Sequence, residues 1–380
     1  MAAALSDIDL LGRLVGFDTV SPKSNLPIAD FLAEYAGPEA TAERHPSPDA
    51  EKANLILRFG PESDDRAGLV LSAHMDVVPA DEEEWEGDPF VLRDDGERLY
   101  GRGTCDMKGF LAVALNVARE ARGLKAPLVL VLTHDEEVGT LGARRLVETW
   151  PAAGSLPRQA IVGEPTELTV VRMHKGFTSL RVALQGVSAH SGYPHLGRNA
   201  IEGMARVLVS LRELRHRWEQ AGGPNAEHFP EVPFVSLNVG VISGGTAANV
   251  VPDRCVLDLS VRPLPGTHAP EILGSIREAV ANAAGEMPYE LEPTGESPPL
   301  LLDAGAPIHR TLLQLTGQEA DASVSFATDA GWLARAGMEC VVFGPGSIEQ
   351  AHKPNEFVSR AELSRARTYL EQAVERLSCR

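Results

Sequence analysis

Gly68-Leu-Val-Leu-Ser-Ala-His74-Met-Asp76-Val-Val-Pro79 carries the pattern from which the architecture of this chain can be read. Gly68–Ala73 is a short apolar run of strand length, and His74 and Asp76 follow at once. The same texture recurs on both sides. Ala53–Phe59 is another apolar run, Pro127–Thr133 reads as a buried strand, and Gln159–Val162 as a further one. Helical spacings lie between them. In Met107–Arg122, Phe110, Ala114 and Val117 recur at intervals of three and four, as do Leu111, Leu115 and Ala118. Leu141–Trp150 reads as a second helix. Strand–helix alternation of this kind predicts an α/β layer with a largely parallel sheet.

The texture changes near Gly176. Leu180, Val182 and Leu184 alternate with polar neighbours, as do Cys255, Leu257, Leu259 and Val261. Arg198–Trp218 carries Ile201, Met204, Ala205, Leu208, Leu211, Leu214 and Trp218 on one stripe. Ala269–Ala284 is again helical. A strand, a helix, two strands and a helix predict an α+β sandwich with one open sheet face. From about residue 300 the first texture returns, with Ile308–Leu315, Ala330–Arg335, Val341–Phe343 and Arg360–Leu377. The expected organisation is a discontinuous catalytic domain, 1–174 and 295–380, with a smaller domain inserted at 175–294.

Composition bounds the function. At about 150 residues per domain, 380 residues suggest roughly two or three domains. Apolar residues make up 43 % and charged ones 23 %, enough for a buried core and too apolar for a disordered chain. The 35 cations and 53 anions leave a net charge of −18, which argues against nucleic acid or an anionic membrane as partner. No apolar stretch approaches the ~20 residues of a membrane span. The N-terminus carries Asp7 and Asp9 and does not read as a signal peptide. Cys105, Cys255, Cys340 and Cys379 lie far apart with no CxxC pair, so neither a disulfide scaffold nor a thiolate zinc knuckle is expected, and the cytoplasm is the default compartment.

Five segments carry ligand-type residues at the ends of strand-like runs. They are LSAHMDVVP with His74 and Asp76, GRGTCDMKG with Asp106, LTHDEEVG with Glu136 and Glu137, IVGEPT with Glu164, and GPGSIEQAHKPNE with His352. In open α/β sheets, ligand sites collect at strand ends. One such His is ordinarily a hydrogen-bonded structural residue, and one Glu-Glu pair a solvated turn. Five together would bury charge at a large cost unless a cation were there. Two imidazoles and three carboxylates fit a pair of divalent ions, and zinc suits N and O donors. Asp106 is the central candidate, with His74 and Glu164 completing one site and Glu137 and His352 the other. Asp76 is expected to accept the other ring N–H of His74 and fix its tautomer. Glu136, beside Glu137 but pointing elsewhere, is the candidate general base and acid. The acidic run Asp81–Asp88 reads as a loop without catalytic role, and His134 is not assigned as a ligand.

His74-Met-Asp76-Val-Val-Pro79, Gly101-Arg-Gly-Thr-Cys-Asp106-Met-Lys-Gly109, Glu136-Glu137, Glu164-Pro-Thr and His352 resemble the aminoacylase/carboxypeptidase G-type dinuclear zinc peptidase family, over nearly the whole chain. The resemblance implies a metal-dependent amidohydrolase with two divalent ions, zinc or alternatively cobalt. It implies a catalytic α/β domain and an inserted α+β lid domain that forms a homodimer. It also implies a cis peptide after Asp106, and a His of the partner subunit, matched here by His190 in GVSAHS, that stabilises the oxyanion. Asn249 in GTAANVVP and Arg262 in RPLPG match positions that hold a substrate α-carboxylate. Thr328 and Ser347 match further substrate contacts, and Asp329 could meet a substrate ammonium. Arg262 also falls on the polar face of its strand, although a salt bridge with Asp258 would look the same. The substrate class implied is an N-acyl amino acid, with N2-acetyl-L-ornithine first and N-succinyl-diaminopimelate, N-acetylcitrulline or a dipeptide as alternatives. A non-catalytic binding module on the same fold would lack ligands or the general base, and here all are present.

Overall fold

A computed structural model describes residues 4–63, 65–81 and 83–379. The chain divides into two compact units. The first comprises the residues up to Met173, Leu302–Ala322 and the residues from Thr328 on; the second comprises His174–Leu301 with Ser323–Ala327.

The first unit is built on a mixed sheet. Its strands run in the order Thr41–Pro46, Ala53–Phe59, Leu128–Thr133, Leu69–His74, Gln159–Val162, Glu339–Val342 and Val171–His174. The centre is parallel. Leu69–His74 pairs in register with Leu128–Thr133, and Leu69–Ser72 with Gln159–Val162, which in turn pairs with Glu339–Val342. Both outer pairings on the Ala53–Phe59 side are antiparallel. The central strands are buried along their whole length, because helices cover both faces, and that is why they read as unbroken apolar runs. The helix Lys108–Glu120 is buried through Ala118, packed among Leu69–His74 and the helices Asp7–Val15 and Arg360–Ser378. Parallel strands bring their C-terminal ends to one edge. His74 ends one strand, and Glu136, Glu164 and His352 each follow another. Gly163 marks how closely that edge is packed, since a Cβ there would lie 2.0 Å from the Phe110 ring.

The second unit holds a four-stranded antiparallel sheet, ordered Ser236–Gly244, Arg254–Arg262, Phe177–Gln185 and Tyr289–Ser297. Cys255, Leu257, Leu259 and Val261 point into a core shared with Met204, Leu211, Ile276 and Val280 of the helices Ala200–Ala221 and Ala269–Ala284. Their alternate neighbours stay half-exposed, so one face of the sheet is open. A fourth strand follows the second helix where the sequence suggested none. The expected boundary at 294 therefore falls inside Tyr289–Ser297, whose pairing with Phe177–Gln185 carries the unit to Leu301.

Candidate metal centre

His74 is buried at the end of its strand, with Nε2 2.9 Å from Asp106 Oδ1 and 4.0 Å from Glu164 Oε2. Asp106 Oδ2 lies 3.3 Å from His352 Nε2, and Glu137 Oε2 lies 3.0 Å from the same nitrogen. Two groups result, His74–Asp106–Glu164 and Asp106–Glu137–His352, each with its donor atoms within 4.8 Å of one another. Asp106 belongs to both. It sits in the loop that precedes the helix Lys108–Glu120, and the Asp106–Met107 peptide is cis. His352 reaches the site from a left-handed backbone position, φ 62°.

The donor chemistry fits two cations. Each group offers imidazole nitrogen and carboxylate oxygen, the shared carboxylate can bridge, and buried Glu164 Oε1 has no hydrogen-bond partner. Without a cation, protons and His–carboxylate pairs hold the cluster together. Burial pulls His74 down, but its hydrogen bond to Asp106 and the charge there raise it well above its ordinary value. His352 is raised to about 10 by its hydrogen bonds to Asp106 and Glu137. Burial pushes Glu137 up to about 7, Asp106 adding to the rise. Burial would also raise Asp106, but the hydrogen bonds of His352 and His74 win and hold it well below the carboxylate range.

Asp76 differs from expectation. The ring Nδ1 of His74 lies 2.9 Å from the backbone oxygen of Asp76 and 3.8 Å from its carboxylate. The carboxylate is drawn instead to two successive backbone donors, the N–H groups of Glu136 (3.1 Å) and Glu137 (3.3 Å), and it accepts from Ser21 Oγ at 2.8 Å. So the peptide carbonyl of Asp76 orients His74, and its side chain holds the Glu136–Glu137 turn. Glu136 lies in neither metal-ligand group. Its carboxyl is pushed well above the ordinary range by burial first, then by Glu164. A carboxyl beside such a cluster but outside its ligand set can take and return a proton. His134 is also outside both groups and turns its Nδ1 to Asp135 Oδ2 at 2.9 Å.

Thr328, Asp329 and Ser347 lie in the first unit. Thr328 and Asp329 are buried, and Asp329 Oδ2 accepts from Thr133 Oγ1 at 2.5 Å. Burial raises Asp329 to about 6. Ser347 accepts from the Glu349 N–H at 3.4 Å. His190, Asn249 and Arg262 belong to the second unit. His190 and Asn249 share a corner where Ala189–His190 pairs with Val250–Val251 and the Ser191 N–H donates to the Asn249 oxygen. His190 is exposed, and its Nδ1 accepts from the Gly192 N–H at 3.0 Å. In the neutral ring that leaves the proton on Nε2. Asp258 forms a two-pronged pair with Arg181, at 2.7 and 3.0 Å, so it does not account for Arg262. The Arg262 guanidinium stacks 4.6 Å from the Phe177 ring centroid. Sequence reasoning overlooked Arg102 and Glu356, both buried. The described residues of the acidic run Asp81–Asp88 form neither helix nor strand. Asn355 holds that run by accepting from the Glu86 N–H and donating to the Glu84 carbonyl.

A profile of Peptidase family M20/M25/M40 matches residues 70–376. The chain is 38 % identical to an acetylornithine deacetylase of Myxococcus xanthus over 96 % of this chain and 95 % of that protein. It is 37 % identical to an acetylornithine deacetylase of Erwinia tasmaniensis, covering 88 % and 86 %. Its fold is similar to that of an M20 family metallo-carboxypeptidase from Sulfolobus solfataricus, TM-score 0.78 at 16 % identity, covering 98 % and 99 %. A dinuclear metal binding peptidase of the M20 family from Bacillus subtilis matches with TM-score 0.68 at 15 % identity, covering 98 % and 97 %.

Proposed function

The chain belongs to peptidase family M20/M25/M40 and is a hydrolase acting on amide bonds, and from that premise we propose that it removes the acetyl group of N2-acetyl-L-ornithine. The products are acetate and L-ornithine, and the reaction serves arginine biosynthesis. One observation carries the chemistry: Asp106 is shared by two metal-ligand groups while Glu136 beside them is left out of both. The substrate is supported by near full-length similarity to acetylornithine deacetylases.

His74, Asp106 and Glu164 would hold one divalent ion, and Asp106, Glu137 and His352 the other, zinc being favoured and cobalt the alternative. When bound, the pair supplies an activated water and polarises the acyl oxygen. Glu136 takes a proton from the water as its oxygen adds to the acyl carbon. It then delivers that proton to the ornithine nitrogen as the C–N bond breaks. Arg262 holds the substrate α-carboxylate with its planar fork, Asn249 assisting. His190 of the partner subunit donates from Nε2 to the developing oxyanion. Thr328 and Ser347 line the substrate, and Asp329 faces its ammonium. The homodimer forms through the second unit, where the edge strand Ser236–Gly244 exposes Val241 and Ile242. A cytoplasmic location is supported by four free thiols. Among the described residues no helix is long and apolar enough to cross a membrane.

The test is acyl release from N-acetylornithine, N-succinyl-diaminopimelate, N-acetylcitrulline and a dipeptide by zinc-loaded protein. N-Acetylornithine should give the highest kcat/KM. A Glu136→Gln protein should keep two zinc ions and lose about 10²–10⁴-fold in kcat. A preference for another acyl compound overturns the substrate, and near-normal turnover in the variant overturns the proton carrier.

A further inference from the structure

We propose that Glu356, paired with Arg102, is a positioning residue that sets the orientation of Asp106 and so holds both metal positions in register. Glu356 lies four residues beyond His352, and its side chain is as fully buried as that of Arg102. Its Oε1 accepts from two consecutive backbone donors, the N–H groups of Cys105 (2.9 Å) and Asp106 (3.0 Å). Its Oε2 accepts from Arg102 Nη1 at 2.9 Å. Its backbone carbonyl accepts from the Gly101 N–H at 3.0 Å and from Thr104 Oγ1 at 3.3 Å. One residue thus grips the 101–106 loop by both main chain and side chain.

Arg102 extends the grip. Nη1 donates to the Lys353 carbonyl at 3.3 Å, and Nη2 to the Pro79 carbonyl at 2.8 Å. Lys353 adjoins His352, and Pro79 lies three residues beyond Asp76. A single ion pair therefore joins the loops that carry His74 and Asp76, Asp106, and His352. All three belong to the first unit.

A buried ion pair is weak evidence for stability, since well-packed apolar residues often serve as well. Apolar residues could not accept the two N–H groups that lead into Asp106. Without that acceptor the peptide before the shared ligand is free to rotate, and both metal positions lose a common oxygen. Outer groups that orient a ligand typically change metal affinity 10–100-fold.

The inference rests on the two-metal reading above but not on the identity of the acyl substrate. Its test is competition of metal-free protein with a fluorescent chelator for Zn²⁺. Glu356→Gln keeps the volume and one oxygen for the N–H groups, but turns an amide NH₂ against the Arg102 fork. It should fold, bind Zn²⁺ about tenfold or more weakly, and lose kcat at limiting zinc. Excess zinc should restore kcat, with KM unchanged within about twofold. Adding Arg102→Met also removes the donors to the Lys353 and Pro79 carbonyls, so the double variant should bind Zn²⁺ no more tightly than the single one. Parent affinity in both variants, with only a lower melting temperature, overturns the proposal. Should the single variant not fold, amide exchange in the unaltered metal-free protein decides. Cys105 and Asp106 amides protected like the Leu69–His74 strand support it, and exchange at open-loop rates overturns it. Zinc stoichiometry of the unaltered protein, read in the same titration, separately tests the two-metal reading.

Discussion

Loading the metal centre should expel protons, and the number follows from the residues. Metal ligation needs neutral imidazole and ionised carboxylate. Near pH 7 the metal-free cluster holds neither in full. His352, raised to about 10, carries a proton in nearly every molecule, and His74, raised well above 6.5, carries another. Glu137 sits at about 7 and carries one in about half of the molecules. Glu164, pushed well above the ordinary carboxylate range by burial, adds to these, so filling both positions with Zn²⁺ releases at least about two protons from the side chains. Because raised values mean protons held in the metal-free state, a higher pH favours binding. The overall constant for the pair should rise roughly hundredfold per pH unit just below neutrality, the slope being the number of protons released. Calorimetric titration of metal-free protein with ZnCl₂, in two buffers of equal pH and different ionisation enthalpy, reads the count directly. Release of fewer than one proton, or affinity flat from about pH 6 to 8, would refute the assignment of these side chains as ligands.

Three further outcomes test other parts of the molecule. Arg262→Lys keeps the charge and loses the planar fork, so KM for N-acetylornithine should rise about tenfold with kcat little changed. An unaltered KM removes Arg262 from carboxylate binding. His190→Ala should lower kcat by about 10²-fold while zinc stoichiometry stays at the parent value, and full activity dismisses the oxyanion role. His174 is buried without exposure, and burial lowers it from 6.5 to about 4. The unfolded chain takes that proton first as pH falls below 6.5, so the stability that the neutral ring contributes above 6.5 is lost progressively toward pH 4. The gap of 6.5 − 4 = 2.5 units corresponds to about 3 kcal/mol. Urea unfolding of metal-free His174→Gln should show a flatter acid limb than the parent, and equal limbs would remove His174 as the cause.

The sequence yields the parallel core because helices on both faces bury its strands and favour apolar residues at most positions. Leu128–Thr133 is buried throughout and reads as one apolar run. The same reasoning fails at one edge of the second unit. Ser236–Gly244 and Tyr289–Ser297 are mostly exposed, and the latter carries Pro293 and Gly295 at a register shift. Ser236–Gly244 keeps Leu237, Val239 and Val241 in alternation, whereas in Tyr289–Ser297 the alternation stops at Leu291, which is why the boundary at 294 fell short. At the site, ligand-type residues announce themselves by standing at strand ends. The supporting groups do not. Asp76 lies two residues from His74, yet its carboxylate answers to N–H groups sixty residues later in the chain. Glu356 looks like any of 53 acids until the fold buries it against Arg102.

Nothing in the fold's own stability calls for this cluster. Asp106, Glu137 and Glu164 are like charges gathered at one sheet edge where burial alone would raise each of them. Two of the three do rise, and the third stays ionised only because two imidazoles give it protons to share. An apolar edge would fold at lower electrostatic cost. The site therefore depends on restraints that do not themselves bind metal: the Asp76 carboxylate under the Glu136–Glu137 turn, and Glu356 under the peptide entering Asp106. Like-charged ligands left to themselves would spread apart. Fixed contacts on the Glu136–Glu137 turn and on the loop entering Asp106 keep them close, so that a pair of cations would meet a set already in position and only protons would have to leave.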